Sequence, residues 1–280
     1  MKVKKVTIIL AAVVLSIFMA VESFALVVTP TNDGNTLATT ILGSGIAISN
    51  VTYNGAAAAS GTFTGGIASG IGIDSGIILT SGTAAGAVGP NNQDGFTGNN
   101  SLGGDAQLGG LLPPDSLIYD AAKLEFDFVT TGGNLFFNYV FASEEYNEYT
   151  NSQFNDVFGF FLDGTNIALI PGTSTPVSIN NVNGGNPFGT NASNPALFNN
   201  NDLQDGGPFF NIQYDGFTDV FTAQALGIGA GTHHIKLAIA DVGDHVLDSG
   251  VFIQSGSFSD TSSVPEPSML LLFGAGLSGL

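Results

Sequence analysis

Between residues 26 and 260 the apolar residues come in short runs, and each run is closed by Gly, Asn, Asp or Pro. That punctuation leaves no sustained 3.6-residue periodicity and no run of good helix formers, so the chain must bury itself as strands. Lys123–Val129 sets Leu124, Phe126 and Phe128 against Lys123, Glu125 and Asp127, a period of two with one wet face. Leu135–Ala142 and Val157–Leu162 are nearly all apolar or aromatic, which predicts strands buried on both faces. Further strands are expected at Gly45–Tyr53, Ile71–Thr80, Asn166–Ile170, Phe217–Ala225, His234–Ala240 and Val251–Phe258. Many strands, Gly-rich turns and no crossover helices predict an all-β fold, an antiparallel β-sandwich of jelly-roll type. The segment Asn180–Gly207 stands apart, crowded with Asn, Gly and Pro. A loop of that length is either a binding loop or surface padding.

Charge narrows the function. The chain has 5 Lys, no Arg and 23 acids, for a formal net charge of −18. Phosphate contacts need basic side chains, so nucleic-acid binding is excluded. The lack of Cys excludes disulfides, thiol catalysis and Cys-ligated metals. Three His leave little room for zinc. Lys2, Lys4 and Lys5 precede an apolar run, Val6–Val21, and then Ser23-Phe24-Ala25. This is the pattern of a secretory signal peptide over residues 1–25, cut by signal peptidase after Ala25. The remaining 255 residues would keep 2 Lys and 22 acids, a charge of −20. Such a protein attracts cations.

Two clusters carry candidate chemistry. In Phe141–Gly164 a buried strand delivers Glu144 and Glu145, and Asn155 and Asp156 open the next strand. After His234–Ala240 come Asp241, Asp244, His245 and Asp248. Lys123 and Lys236 are the only lysines beyond the signal peptide, too few to neutralise these acids. A hard divalent cation is the natural substitute, and calcium takes 6–8 oxygen ligands. The candidate metal ligands are Glu144, Glu145, Asn155, Asp156, Asp241, Asp244 and Asp248. They meet on one rim if Leu135–Ala142 and His234–Ala240 run the same way. The plain alternative is that Glu144, Glu145 and Asp156 cap turns by accepting backbone N–H bonds.

A carbohydrate-active hydrolase would need a carboxylate pair. Neighbours in a strand face opposite ways, so Glu144 and Glu145 rarely serve one site, and Glu144 with Asp241 is the better pair. No nucleophile-elbow motif accompanies the histidines, so no catalytic residue is assigned. His233 and His234 are expected in neutral packing or solvent, and His245 beside a carboxylate. Tyr146, Tyr149 and Phe154 are candidates for stacking on sugar rings, against the alternative of core packing.

Two resemblances bear on function. Val264-Pro265-Glu266-Pro267-Ser268 and the apolar run Met269–Leu280 resemble the bacterial PEP-CTERM sorting signal. The motif residues are Pro265, Glu266 and Pro267. No Lys or Arg follows Lys236, so the basic tail of that signal is missing. The resemblance implies processing by an exosortase and a short apolar helix, of 12 residues, that touches the membrane transiently without the ~20 residues needed to span it. Asn138–Gly164, Tyr214–Thr218, His234–Phe258, Gly76–Gly82, Val88–Asn91, Gly104-Asp105 and Tyr119–Ala122 look like the choice-of-anchor L domain of bacterial surface proteins. That likeness implies a secreted domain attached through different C-terminal anchors, and carries over no catalytic or ligand residues. The expected organisation is therefore a signal peptide (1–25), a β-sandwich (26–260) and an anchor segment (261–280). The expected protein is exported to the cell surface or extracellular matrix of a Gram-negative-type bacterium. It would act by adhesion or assembly on extracellular polysaccharide or surface glycans, with a carbohydrate-active hydrolase and a passive matrix subunit as the alternatives.

Overall fold

The computed structural model describes residues 25–261. Residues 1–24 of the expected signal peptide and segment 262–280, with Pro265, Glu266 and Pro267, lie outside the described residues. Among the described residues no helix is long and apolar enough to cross a membrane.

Two antiparallel sheets face each other. The first is built from β1 (Val27–Pro30), β3 (Ser60–Thr64), β4 (Gly76–Thr80), β13 (Ser249–Gln254), β6 (Gly133–Ser143), β10 (Gly216–Thr218) and β9 (Phe198–Asn200), in that order. In this sheet β11 (Phe221–Ile228) also pairs with β6. The second follows the order β2 (Ala47–Asn54), β5 (Ile118–Thr130), β12 (Gly231–Val242), β7 (Val157–Leu162) and β8 (Thr165–Asn166). Neither sheet closes on itself.

Alternation explains the core. Leu124, Phe126 and Phe128 of β5 point inward with Ile235, Leu237 and Ile239 of β12, against Phe137, Tyr139 and Phe141 of β6. The outer faces are covered too. Val140 and Ala142 of β6 pack with Phe63, Ile78, Tyr214 and Phe252. Val157 and Phe161 of β7 pack with Leu108, Ala238 and Ala240. That is why β6 and β7 read as unbroken apolar runs: each is buried on both sides.

Several expected boundaries move. The strand expected over Ile71–Thr80 begins only at Gly76. Gly70 and Gly72 take φ of +97° and +83°, so Ile71 and Ile73 enter the core from a turn. Phe217–Ala225 is two strands, because the Thr218 hydroxyl accepts the Phe141 N–H at 3.1 Å and interrupts the ladder. Of Asn166–Ile170 only Asn166 is in a strand. Residues 34–41 form a helix, α1 (Gly34–Ile41), which was not expected. Asp33 caps it by accepting from the Asn35 N–H, and Leu37, Ala38 and Ile41 bury one face. Strands β1, β3 and β9 were also not expected. The two longest edges, β2 and β11, each carry a register break, between Ser49 and Thr52 and between Ala225 and Ile228.

The pairings orient everything that follows. β13 is antiparallel to β6 and β4, with Ser249 opposite Ser143 and Gly250 opposite Thr80, and β10 is likewise antiparallel to β6. β12 precedes β13 by six residues, so β6, β12 and β4 all run toward one rim. Strands β5, β7, β10 and β13 start there. At the far end Phe258 fills the gap between the sheets, with ring centroids 5.1–5.5 Å from Phe126, Phe128 and Phe137. Phe258→Ala should cost about 3–5 kcal/mol in urea unfolding. A cost below 1 kcal/mol would show that this end of the core does not depend on the ring.

Candidate functional site

The rim toward which β6 and β12 run collects carboxylates from both sheets. Glu144, Glu145 and Glu148 follow β6, Asp156 precedes β7, Asp241 sits near the end of β12 and Asp248 precedes β13. The two clusters therefore share one end of the sandwich, as a common strand direction requires. The topology adds Asp120, in the first turns of β5, Asp215 ahead of β10, and Asp94 and Asp202 from loops.

An inner group forms around Asp241. Glu145, Asp156 and Asp241 are each no more than 1% exposed. The Asp156 oxygens are partnered: Oδ1 accepts the Val242 N–H at 2.8 Å and Oδ2 the Ser249 hydroxyl at 2.7 Å. Both Asp241 oxygens and Glu145 Oε2 accept no hydrogen bond. Burial raises the Asp241 carboxyl to about 11, and the charge of Asp156 adds to this; nearby Ser81 offsets a small part. Burial, Asp156 and Asp244 push Glu145 up to about 10. Burial alone dominates for Asp156, at about 7.

Glu144 turns to another partner set. No donor reaches its Oε1, and its Oε2 accepts only a long Phe96 N–H bond of 3.4 Å. Burial, then Asp215, raises its pKa. Asp215 itself is raised to about 8 by burial, despite a 2.5 Å bond from Asn91 Nδ2. Glu144, Asp215, Asp94, Glu148 and Tyr149 line a cavity of about 150 Å³. Asp248 stands between the groups, and both of its oxygens accept the Gly98 N–H at 2.8–2.9 Å. A side chain at Gly82 would collide with that carboxyl.

The protein's own cations are elsewhere. Lys236 Nζ lies 2.5 Å and Lys123 Nζ 3.5 Å from the same Asp105 oxygen, on the outer face of the second sheet. His233 pairs with Asp163 at 2.6 Å, and His234 with Asp127 at 2.8 Å and Glu125 at 3.3 Å. Those carboxylates raise both imidazoles, which corrects the expectation of neutral packing or solvent. At the rim, His245 Nδ1 lies 2.8 Å from Asp120, whose Oδ1 is taken by the Leu102 N–H. Among the described residues, no ion pair reaches Glu144, Glu145, Asp156 or Asp241.

Two of the seven candidate ligands do other work. Asn155 Oδ1 accepts the Asn180 N–H at 2.8 Å and Asp244 Oδ1 the Val246 N–H at 2.9 Å, though the Asp244 charge is felt at Glu145. Of the three acids for which turn-capping is the alternative, Asp156 accepts the Val242 N–H, Glu144 accepts only the long bond from Phe96, and Glu145 Oε2 accepts none. Tyr146 is fully buried, with its hydroxyl donating to the Val182 carbonyl at 2.7 Å, so it is not a stacking surface. Tyr149 is exposed and meets Phe154 edge-on at 5.4 Å.

The Asn-rich segment is braced by its own amides. Asn201 donates to the Ile212 and Tyr214 carbonyls and accepts from the Phe209 and Phe210 N–H groups. Asn183 bonds Ile179, Gly185 and Ser193. Side chains there replace the ladder that the backbone lacks. The bracing places Asp202, fully buried, beside Asn147.

The family model for the choice-of-anchor L domain matches residues 27–259. The chain belongs to the choice-of-anchor L family. Comparison with curated proteins and with solved structures finds no match. A choice-of-anchor domain points to an exported or surface-associated protein.

The rim gives the choice-of-anchor L domain a definite pH response. Asp156, Asp215, Glu145 and Asp241 hold protons up to about 7, 8, 10 and 11 when folded, against ~4 when unfolded. Above pH ~4 the folded state therefore binds more protons than the unfolded state, and stability falls as pH rises. Asp105 and Asp163, whose pKa values are lowered, oppose this only below about pH 4. In EDTA the melting temperature should be highest near pH ~4.5 and drop steadily toward pH ~8. A profile that rises over that range contradicts the assignment of buried, unpaired carboxyls.

Proposed function

We propose that this is an exported protein of the cell surface or extracellular matrix that acts by contact, in adhesion or assembly on extracellular polysaccharide or surface glycans, and that calcium holds its acidic rim. The observation that carries the reading is the group Glu145, Asp156 and Asp241: buried together, with three oxygens lacking any donor and no side-chain cation in reach. Buried carboxylates persist when paired, protonated or bound to a metal. Hard oxygen ligands of this kind suit calcium. Exposed Tyr149 beside the rim cavity supports sugar contact, since an aromatic face offers apolar area to a sugar ring. The signal peptide ending at Ala25 and the Pro265-Glu266-Pro267 segment support export by signal peptidase and sorting by an exosortase.

Melting the protein in EDTA and then in calcium tests the reading. At calcium near 100 times its Kd, folded-state binding adds ~2.7 kcal/mol, a rise of roughly 5–10 °C for a domain of this size. Glu145→Gln with Asp241→Asn should cut that rise sharply and at the same time raise the melting temperature in EDTA at pH ~8, because folding no longer requires these two side chains to take up protons. Absence of a calcium shift in the wild-type protein overturns the ion assignment. A polysaccharide panel with and without calcium then tests contact. No binding to any member alongside an intact calcium shift would favour the passive matrix subunit.

A further inference from the structure

We infer that the rim holds a second, outer calcium site, formed by Asp94, Glu148 and Asp202 with Glu144 behind them, and that its open coordination positions take hydroxyl or carboxylate oxygens of a polysaccharide. This rests on the proposed function but uses different residues. One carboxylate oxygen from each of Asp94, Glu148 and Asp202 lies within 4.8 Å of the other two. Ligands on opposite sides of a calcium ion, at ~2.3–2.6 Å each, stand up to about 5 Å apart, so the spacing fits a common ion. The three come from three separate loops, after β4, after β6 and after β9. Like charges brought together from distant parts of a chain repel unless something joins them.

A second observation points the same way. Glu144 is 2% exposed, lines the cavity shared by Asp94, Glu148, Asp215 and Tyr149, and has no donor for its Oε1. Asn147 is equally buried, and its Nδ2 donates to Asn200, Asp202 and Asp205 while its Oδ1 is left without a partner. The site is thus polar and built on its inner side. Its outer side differs from the inner group: Asp94 is exposed and Glu148 half-buried. At about 150 Å³ the cavity holds several water-sized groups. A calcium ion held by three carboxylates still needs oxygens to complete 6–8, and the cavity that Asp94 and Glu148 share with Tyr149 has room for them. Consecutive residues divide the labour, with Glu145 inward and Glu144 outward.

The test is calcium stoichiometry by equilibrium dialysis on the full chain, with retention on immobilised neutral and uronic-acid polysaccharides as the second readout. The wild-type protein should bind two ions. Asp94→Asn with Glu148→Gln, at positions away from the core, should bind one, melt no lower than the wild type in EDTA because like charges are removed, keep most of the calcium-driven rise, and lose calcium-dependent retention at least tenfold. Glu145→Gln with Asp241→Asn should also bind one ion, the outer one, with a smaller rise and calcium-dependent retention intact. Unchanged stoichiometry in the Asp94/Glu148 variant overturns the outer site. Loss of one ion with retention unchanged overturns the ligand assignment. A wild-type protein that binds a single ion, lost in the Asp94/Glu148 variant, would sink the inner reading alone.

Discussion

The link between β12 and β13 is the constraint on which the rest depends. Six residues carry the chain from the second sheet into the first, where β13 inserts between β4 and β6. That insertion sets the direction of β6 relative to β12. It therefore decides that acids separated by about a hundred positions along the chain finish at one end. The Ser143–Ser249 hydroxyl contact at 2.8 Å, with Ser249 also donating to Asp156, ties the crossing to the carboxylates themselves.

Charge placement follows from scarcity. With both lysines among the described residues, Lys123 and Lys236, committed to Asp105, the rim is left to resolve its own repulsion. Protonation answers it up to the raised pKa values of the rim, and the proposed ion would answer it where those protons are lost. The far end, where Phe258 and α1 close the sandwich, carries no comparable demand. One molecule thus has an end held by apolar packing and its own histidine–carboxylate pairs, and an end that gathers carboxylates such as Glu145 and Asp241 without a side-chain cation.

Much of the sandwich is legible in sequence because period-two alternation is a local signal. Lys123–Val129 and Val157–Leu162 fall within or on the observed strands. Short edge strands such as β1 and β9 carry too few residues to alternate, and α1 is only eight residues long. Its Asp33 cap and the Leu37, Ala38, Ile41 spacing were the available signals. The inner acids were legible because they end or begin obvious strands. Asp94, Asp202 and Asp215 were not, since each sits among other polar loop residues and gains its meaning only from pairing with distant chain. Tyr146 follows the core-packing alternative, because it belongs to a turn that drives the ring inward against Phe198.

The register breaks in β2 and β11 have a consequence for crowding. A regular exposed edge invites another chain to add to it, and secreted proteins accumulate at high local density. Here β8 is two residues long, β9 three, and β1 ends at Pro30, while the two long edges are bent out of register. Strand-to-strand polymerisation is thereby discouraged on every side. A second copy meeting the domain among its described strands finds no long, regular edge along which a sheet could continue.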